Sequence, residues 1–323
     1  MDIVLSLNRD NEGFVISNQE GKQRIPAKGI RSIQIGKGAQ ITSDAILLAI
    51  DNEIEVLFTD RSGQPKGRIW SSAYGSVSSI RKGQLAFTNS VDAVRWIKDI
   101  ISQKISNQQA LLLMLPETTD PSLSRKFTHI SDSLESFRQK VQRVASDVIV
   151  SDVAAILRGY EGSASKLYFE AINTLIPESY RFEKRTQHPA MDVFNALLNY
   201  GYGVLYGRVE GELIKAGIDP YIGILHRDEY NRPVLVYDVI EIYRIWVDYV
   251  VCNLAFQQVI TDEYYSVQED GSCWLETLGR KVLIQSLSDY LEEVITVNNL
   301  PRSRGNQIQQ FAQNLAQTFK KYQ

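Results

Sequence analysis

The run from Val239 to Val251 is apolar almost all the way round a helix, as in a segment buried inside a protein. Its few charges fall on one stripe. Written as a single helix, Asp238, Glu241, Arg244 and Asp248 lie three, three and four positions apart and share a face. Burying several carboxylates along such a stripe is costly unless they meet a cation, a metal ion or a network of donors. The fold therefore has to bring a positive partner to this segment. A plainer reading is local: Asp238 and Glu241 have the spacing of a capping box, in which two side chains satisfy the free amides of a helix start.

A chain of 323 residues with 44% hydrophobic content suffices for two ordinary cores, and the length favours two domains. No apolar stretch reaches the roughly 18 residues of a spanning helix, and Met1-Asp2-Ile3-Val4 has no basic leader region. A soluble cytoplasmic protein with no export signal and no membrane partner is expected. Cys252 and Cys273 match neither zinc spacing nor a disulfide framework and are expected as free thiols. The formal net charge of −3 gives no global nucleic-acid footprint, so any DNA contact must come from local patches or a metal.

The first part of the chain reads as β and the remainder as α. Short β-branched runs cover Asp2 to Leu7, Gly13 to Ile16, Lys22 to Ile25, Ser32 to Ile35 and Glu53 to Phe58, separated by turn signals. Thr42-Ser43-Asp44 caps one short helix over Ala45 to Ile50. The small polar residues of Ser71 to Ser79 read as a linker, which places the boundary near residue 80. The expected class is α+β: a small N-terminal β-rich domain, 1–80, then a larger all-α domain, 81–323, with long helical spans such as Val94 to Leu115 and Pro121 to Leu157. A further helix runs through Asn195-Ala196-Leu197-Leu198-Asn199 and ends at Gly217. Gly203, Gly207 and Gly211, four apart, leave one face of it bare, which predicts close packing in a soluble protein because Arg208, Glu210, Glu212 and Lys215 share the helix.

Two further residues carry candidate chemistry. Glu161 sits in Arg158-Gly159-Tyr160-Glu161-Gly162-Ser163, where small residues remove bulk around one acid, either to bend a helix or to admit a substrate backbone. His226 ends the apolar run Tyr221 to Leu225; taken alone it reads as a hydrogen-bonded core histidine, whereas His129 and His188 have polar neighbours and read as surface residues. The loop from Arg227 to Pro233 is short enough to bring His226 and Asp238 together. One imidazole with two or three carboxylates suits Mn²⁺ and accepts Mg²⁺, whereas zinc would recruit more His or Cys. The chain has no Gly-x-Ser-x-Gly elbow, no P-loop and no recognisable Cys/His pairing, which leaves metal-assisted displacement at phosphorus. Candidate phosphate contacts are Arg158 and Lys166 beside Glu161, Arg227 and Arg232 beside His226, the cluster Arg181, Lys184 and Arg185, and Arg244. Near the C-terminus, Ile308, Phe311, Leu315 and Phe319 form an apolar face expected to pack on the domain or on a partner.

Three blocks together resemble a known family. They are Gly159-Tyr160-Glu161-Gly162-Ser163-Ala164 with Tyr168-Phe169; Pro189-Ala190-Met191-Asp192 leading into Asn195 to Tyr202; and Gly217 to His226 with Leu235-Val236-Tyr237-Asp238-Val239-Ile240-Glu241. Their order and spacing resemble the CRISPR-associated endonuclease and integrase of spacer acquisition, the larger of the two core adaptation proteins. The resemblance implies a catalytic set of Glu161, His226, Asp238 and Glu241, with Glu161, His226 and Glu241 as ligands of Mg²⁺ or Mn²⁺ and Asp238 as a supporting carboxylate. Family members often carry aspartate at the position of Glu241, so which of the two acids ligates directly stays open. The resemblance further implies a homodimer, a small ferredoxin-like partner protein, dimer or partner contacts through the N-terminal domain, and double-stranded DNA as substrate. The 3′-hydroxyl of a short foreign duplex would attack a repeat phosphodiester, and water in its place would give strand cleavage. Two other readings remain: a metal-dependent nuclease of branched DNA in repair, and a non-catalytic DNA-binding scaffold.

Overall fold

The computed structural model describes residues 5–322 apart from 12, 19–20, 31, 53, 60–64, 70–76, 116–120, 227–231 and 298–299. The start of the expected first strand, most of the expected linker and Arg227 lie outside the described residues. The chain divides into two compact units, Met1–Ser76 and Val77–Gln323.

Among its described residues, the first unit holds two small sheets and one helix. β1 (Ser6–Arg9), β2 (Gly13–Asn18) and β3 (Gly21–Pro26) form an antiparallel meander. Asp10 closes the first turn by accepting the Gly13 amide, and Asn18 closes the second by accepting that of Gly21. β4 (Ser32–Ile35) belongs to the second sheet, while β5 (Gln40–Ile41) adds to β1 in parallel. α1 (Ser43–Asp51) starts where expected, with the Thr42 hydroxyl accepting the Ala45 amide at 3.4 Å. β6 (Glu55–Thr59) pairs in parallel with β4 and antiparallel with β7 (Pro65–Arg68). Phe14, Ala45, Ala49 and Val56 are the centre of this unit's own core.

The second unit is built on helices: α2 (Val77–Thr88), α3 (Val91–Met114), α4 (Pro121–Arg143), α5 (Val150–Leu175), α6 (Val193–Lys215), α7 (Val234–Ile240) and α8 (Arg244–Phe256). It is not purely helical. A hairpin of β8 (Tyr265–Val267) and β9 (Cys273–Leu275) precedes α9 (Thr277–Glu292), and another of β10 (Val294–Val297) and β11 (Leu300–Ser303) precedes α10 (Arg304–Lys320). The β8–β9 hairpin is held by a distant partner, since the Cys273 amide donates to the Ala190 carbonyl at 2.8 Å. Both cysteines are buried free thiols. The apolar face of α10 packs within the unit: Ile308, Leu315 and Phe319 are buried, and the Phe319 ring lies 5.3 Å from that of Phe87 on α2.

Two long helical runs are interrupted. The span expected from Pro121 to Leu157 breaks between α4 and α5, where the Lys98 ammonium of α3 takes the Val144 carbonyl at 2.6 Å and the Ser146 hydroxyl at 2.7 Å. The run from Asp238 through Val251 breaks at Glu241–Tyr243, where Asn107 of α3 donates to the Ile242 carbonyl at 2.9 Å. In both places a side chain of α3 supplies a partner to a carbonyl at the interruption.

Of the expected glycine stripe on α6, Gly203 faces open space. A Cβ at Gly203 would meet nothing within 4 Å, whereas one at Gly201 would lie 2.5 Å from Val247 Cγ1 of α8. Gly201 is thus a point of close approach between α6 and α8. The helix ends as expected, with Gly217 at φ +80° just beyond its C-terminus. The β-branched Val247 has little rotamer freedom with which to retreat. Gly201→Ala is expected to cost about 1–3 kcal/mol in urea unfolding, with Val247→Ala in the same chain recovering most of the loss. A variant as stable as the parent would show that the two helices do not meet here.

Candidate active site

α3, α5 and the turn between α7 and α8 converge on one buried point. Glu161 lies midway along α5 between Gly159 and Gly162, and a Cβ at either glycine would meet nothing within 4 Å. The small residues thus open space beside the acid. Its Oε1 accepts the Ser165 hydroxyl at 3.1 Å and contacts the Lys104 ammonium of α3. Lys104 also contacts Glu241 Oε2, and Arg244 Nε lies 3.0 Å from Glu241 Oε1. The Lys104 and Glu241 side chains are only 9% and 12% exposed, against 25% for Glu161.

The helix break decides where each acid points. Asp238, wholly buried on α7, accepts the amides of Ile224 at 2.7 Å and Leu225 at 3.1 Å on Oδ2. Its Oδ1 takes the His226 amide at 3.1 Å and lies 2.7 Å from His226 Nδ1. Four donors thus occupy Asp238, and it stands inside α7 with Pro233 at the N-cap position, which removes the capping-box reading. Gly223 is required by the same turn, since a Cβ there would lie 1.9 Å from the His226 carbonyl oxygen. Asp248 is a third, separate case: it is buried against the hydroxyls of Tyr168, at 2.8 Å, and Tyr202. Of the stripe expected from the sequence, Glu241, Arg244 and Asp248 still line one cavity, while Asp238 is turned to the Ile224–His226 segment.

The charges respond accordingly. Burial favours neutral Glu241, but Arg244, Lys104 and His226 outweigh it and hold its carboxyl below the ordinary range. Burial would also depress Lys104 and Arg244, yet Glu241 and Glu161 keep both above their usual values. Burial likewise opposes protonation of His226; the Asp238 hydrogen bond and charge, with the fields of Glu241 and Glu161, raise its pKa nonetheless. For Asp248 the balance is reversed, and burial pushes its pKa up against the two tyrosine hydrogen bonds.

Among the described residues no group of three His, Cys, Asp or Glu side chains stands close enough to hold a metal ion in this arrangement. The donor chemistry nevertheless fits a hard divalent ion. Glu161 and Glu241 already meet at one cation, and the buried Glu241 Oε2 has an ion pair but no aligned hydrogen-bond donor. A neutral His226 that donates from Nδ1 to Asp238 presents Nε2 as its lone-pair nitrogen, the orientation of a histidine held by a supporting carboxylate.

A cavity of about 470 Å³ adjoins this point, bounded by Glu161, Glu241, Phe169, Phe182 and Tyr202. Of the candidate phosphate contacts, Lys166, Lys184, Arg185 and Arg244 line it. Arg185 is committed elsewhere: it bonds Asn195 and Asn199 of α6 and lies over the Phe169 ring at 5.3 Å. Asn195 also takes the Lys184 carbonyl, so the asparagine block fastens this segment to α6. Arg158 and Arg181 are exposed and outside the cavity lining, as is Arg232; Arg227 lies outside the described residues. His129 and His188 are exposed, as expected.

Lys104 was not among the expected site residues. Its signal is a polar residue in a core register: Ile97, Ile101, Lys104, Gln108 and Leu111 follow one buried face of α3.

A family model described as CRISPR associated protein Cas1 matches residues 4–289. The CRISPR-associated endonuclease Cas1 1 of Archaeoglobus fulgidus is 31% identical over 292 residues, covering 87% of this chain and 84% of its own. Among solved structures, a chain of a Cas6-RT-Cas1–Cas2 complex superposes with a TM-score of 0.76 at 22% identity; the match covers 99% of this chain and 34% of that longer one. A casposase bound to integration product gives a TM-score of 0.71 at 19% identity, covering 99% of this chain and 94% of its own. At these identities the structural likenesses speak of fold. The family match and the relative go further, and the chain belongs to the Cas1 family.

Proposed function

We infer that this protein is a divalent-metal-dependent DNA endonuclease and integrase that inserts short foreign duplexes into a CRISPR repeat array. The observation that carries the reading is the convergence of Glu161 and Glu241, from distant parts of the chain, on one buried cation position, with His226, held by Asp238, within the field of both acids. Glu161, His226 and Glu241 would hold Mg²⁺ or Mn²⁺, and Asp238 would orient the imidazole rather than ligate, since its oxygens are taken by four donors. The fold it shares with a casposase bound to integration product, and the endonuclease name of its archaeal relative, support the same chemistry.

When bound, the ion would polarise a phosphoryl oxygen and stabilise the leaving 3′-oxygen. The protein's own groups do the rest. Glu161 and Glu241 fix the cation position, Asp238 holds the His226 tautomer, and Lys166 and Lys184 at the cavity supply charge for the phosphate backbone. Arg244 keeps Glu241 ionised. The sequence carries no recognisable nucleophile motif, which suits a reaction whose DNA brings its own 3′-hydroxyl. Double-stranded spacer and repeat DNA, a second copy of this chain and a small ferredoxin-like adaptation protein are the proposed partners.

The test is a strand-transfer assay with Mn²⁺, repeat DNA and a 3′-hydroxyl duplex, beside His226→Ala. Joining that is lost in the variant and in chelator supports the integrase. Hydrolysis with no joining would replace it with a branched-DNA nuclease, and metal-independent binding with no chemistry would replace it with a scaffold.

A further inference from the structure

A lysine in the core register of an amphipathic helix needs an anion, and Lys104 has two. Neither carboxylate is without other support. Glu241 pairs with Arg244 at 3.0 Å, and Glu161 accepts from Ser165 at 3.1 Å. The ammonium therefore does more than complete one ion pair: it stands at the single point where the two acids meet.

We propose that Lys104 is a resident cation, which fills the metal position between Glu161 and Glu241 in the metal-free protein and withdraws when a divalent ion binds. The proposal rests on the reading of this site as a metal centre. Two mutually repelling carboxylates need a positive charge to stay convergent, and the ammonium supplies it before metal arrives. A divalent ion attracts each carboxylate about twice as strongly as an ammonium at equal distance, which favours the exchange against the cost of dehydrating the ion.

The structure also provides somewhere for the ammonium to go. Gln108 follows Lys104 by one helical turn on α3, so the two side chains adjoin. Its Oε1 is buried and has no hydrogen-bond partner. Both residues line the cavity of about 470 Å³, which gives the lysine room to turn. A released ammonium would satisfy that acceptor while remaining at the edge of the site, facing the space proposed for the phosphate backbone. Lys104 would then act as a positioning residue that sets the concentration at which metal loads.

Direct Mn²⁺ binding tests this, read from the free-ion signal in electron paramagnetic resonance on the full chain without DNA. Lys104→Met, which keeps length and removes charge, is expected to bind Mn²⁺ about tenfold or more tightly than the parent. Equal or weaker binding would overturn the resident-cation proposal. A Glu161→Ala/His226→Ala control separates the two layers: if parent and Lys104→Met bind no better than this control, the metal-centre reading itself fails. Should Lys104→Met not fold, the parent protein decides. Acetylation of Lys104 by acetic anhydride, followed by mass spectrometry with Lys166 as internal reference, is expected to be slow without metal and to accelerate with saturating Mn²⁺. Unchanged or slower labelling would mean that the ammonium stays in place, and the proposal would fall.

Discussion

Glu161→Ala is expected to abolish metal-dependent cleavage and joining of DNA while leaving the helical unit folded. A metal ion stabilises the charge that develops on phosphoryl and leaving oxygens by several kcal/mol, and losing about 4 kcal/mol of that slows a reaction about a thousandfold. The effect on folding is smaller for a structural reason. Glu161 is a quarter exposed, and its removal leaves the buried Lys104 still paired with Glu241. Glu161→Gln sharpens the test, because the amide keeps the size and can still accept from Ser165, but carries no charge to hold a cation. Rates and melting temperatures measured together for both variants would decide. A Glu161→Gln protein that still cuts and joins would place the chemistry elsewhere.

How far the site was legible depends on whether each signal is local. Glu161 stood out because glycines flank it, and those positions do face open space. His226 and Asp238 were connected by a short loop, and they meet at 2.7 Å. The shared stripe of Asp238, Glu241, Arg244 and Asp248 holds for the last three, which line one cavity, but not for Asp238, which lies on the far side of a helix break at Glu241–Tyr243. No proline or glycine marks that break in the sequence. Its stabilising partner is Asn107, far away on α3, whose amide takes the Ile242 carbonyl. The β8–β9 hairpin depends in the same way on Ala190. Lys104 was hidden for the opposite reason: on a surface helix it would be unremarked, and only the burial of α3 turns a lysine into a site residue. Local pattern thus singled out residues that the fold brings together, Glu161 with Glu241 and His226 with Asp238, while the groups that aim and balance them are set by tertiary contacts.

Asp238 offers the second large effect, on stability rather than chemistry. Its carboxylate satisfies three consecutive backbone amides and the His226 ring from a fully buried position. Removing it leaves those donors without an acceptor, and Asp238→Ala is expected to cost about 3–5 kcal/mol. Asp238→Asn should rescue little, since its amide nitrogen would face backbone donors. The pH dependence carries a further signature. In the metal-free protein the His226 pKa lies above its ordinary value of 6.5, so proton binding favours the folded state. That contribution is fully present below about pH 6.5 and is lost as pH rises through the raised folded value. A divalent ion held as proposed would compete with the same proton, so its affinity should rise across the same window. Without Asp238 the largest of the influences that raise the His226 pKa is gone. Metal-free unfolding of Asp238→Ala should therefore lose this pH-dependent increment as well as the constant one. Urea titrations in chelator at several pH values measure both, and a variant with the parent's stability and pH profile would show that Asp238 does not hold the loop that presents His226.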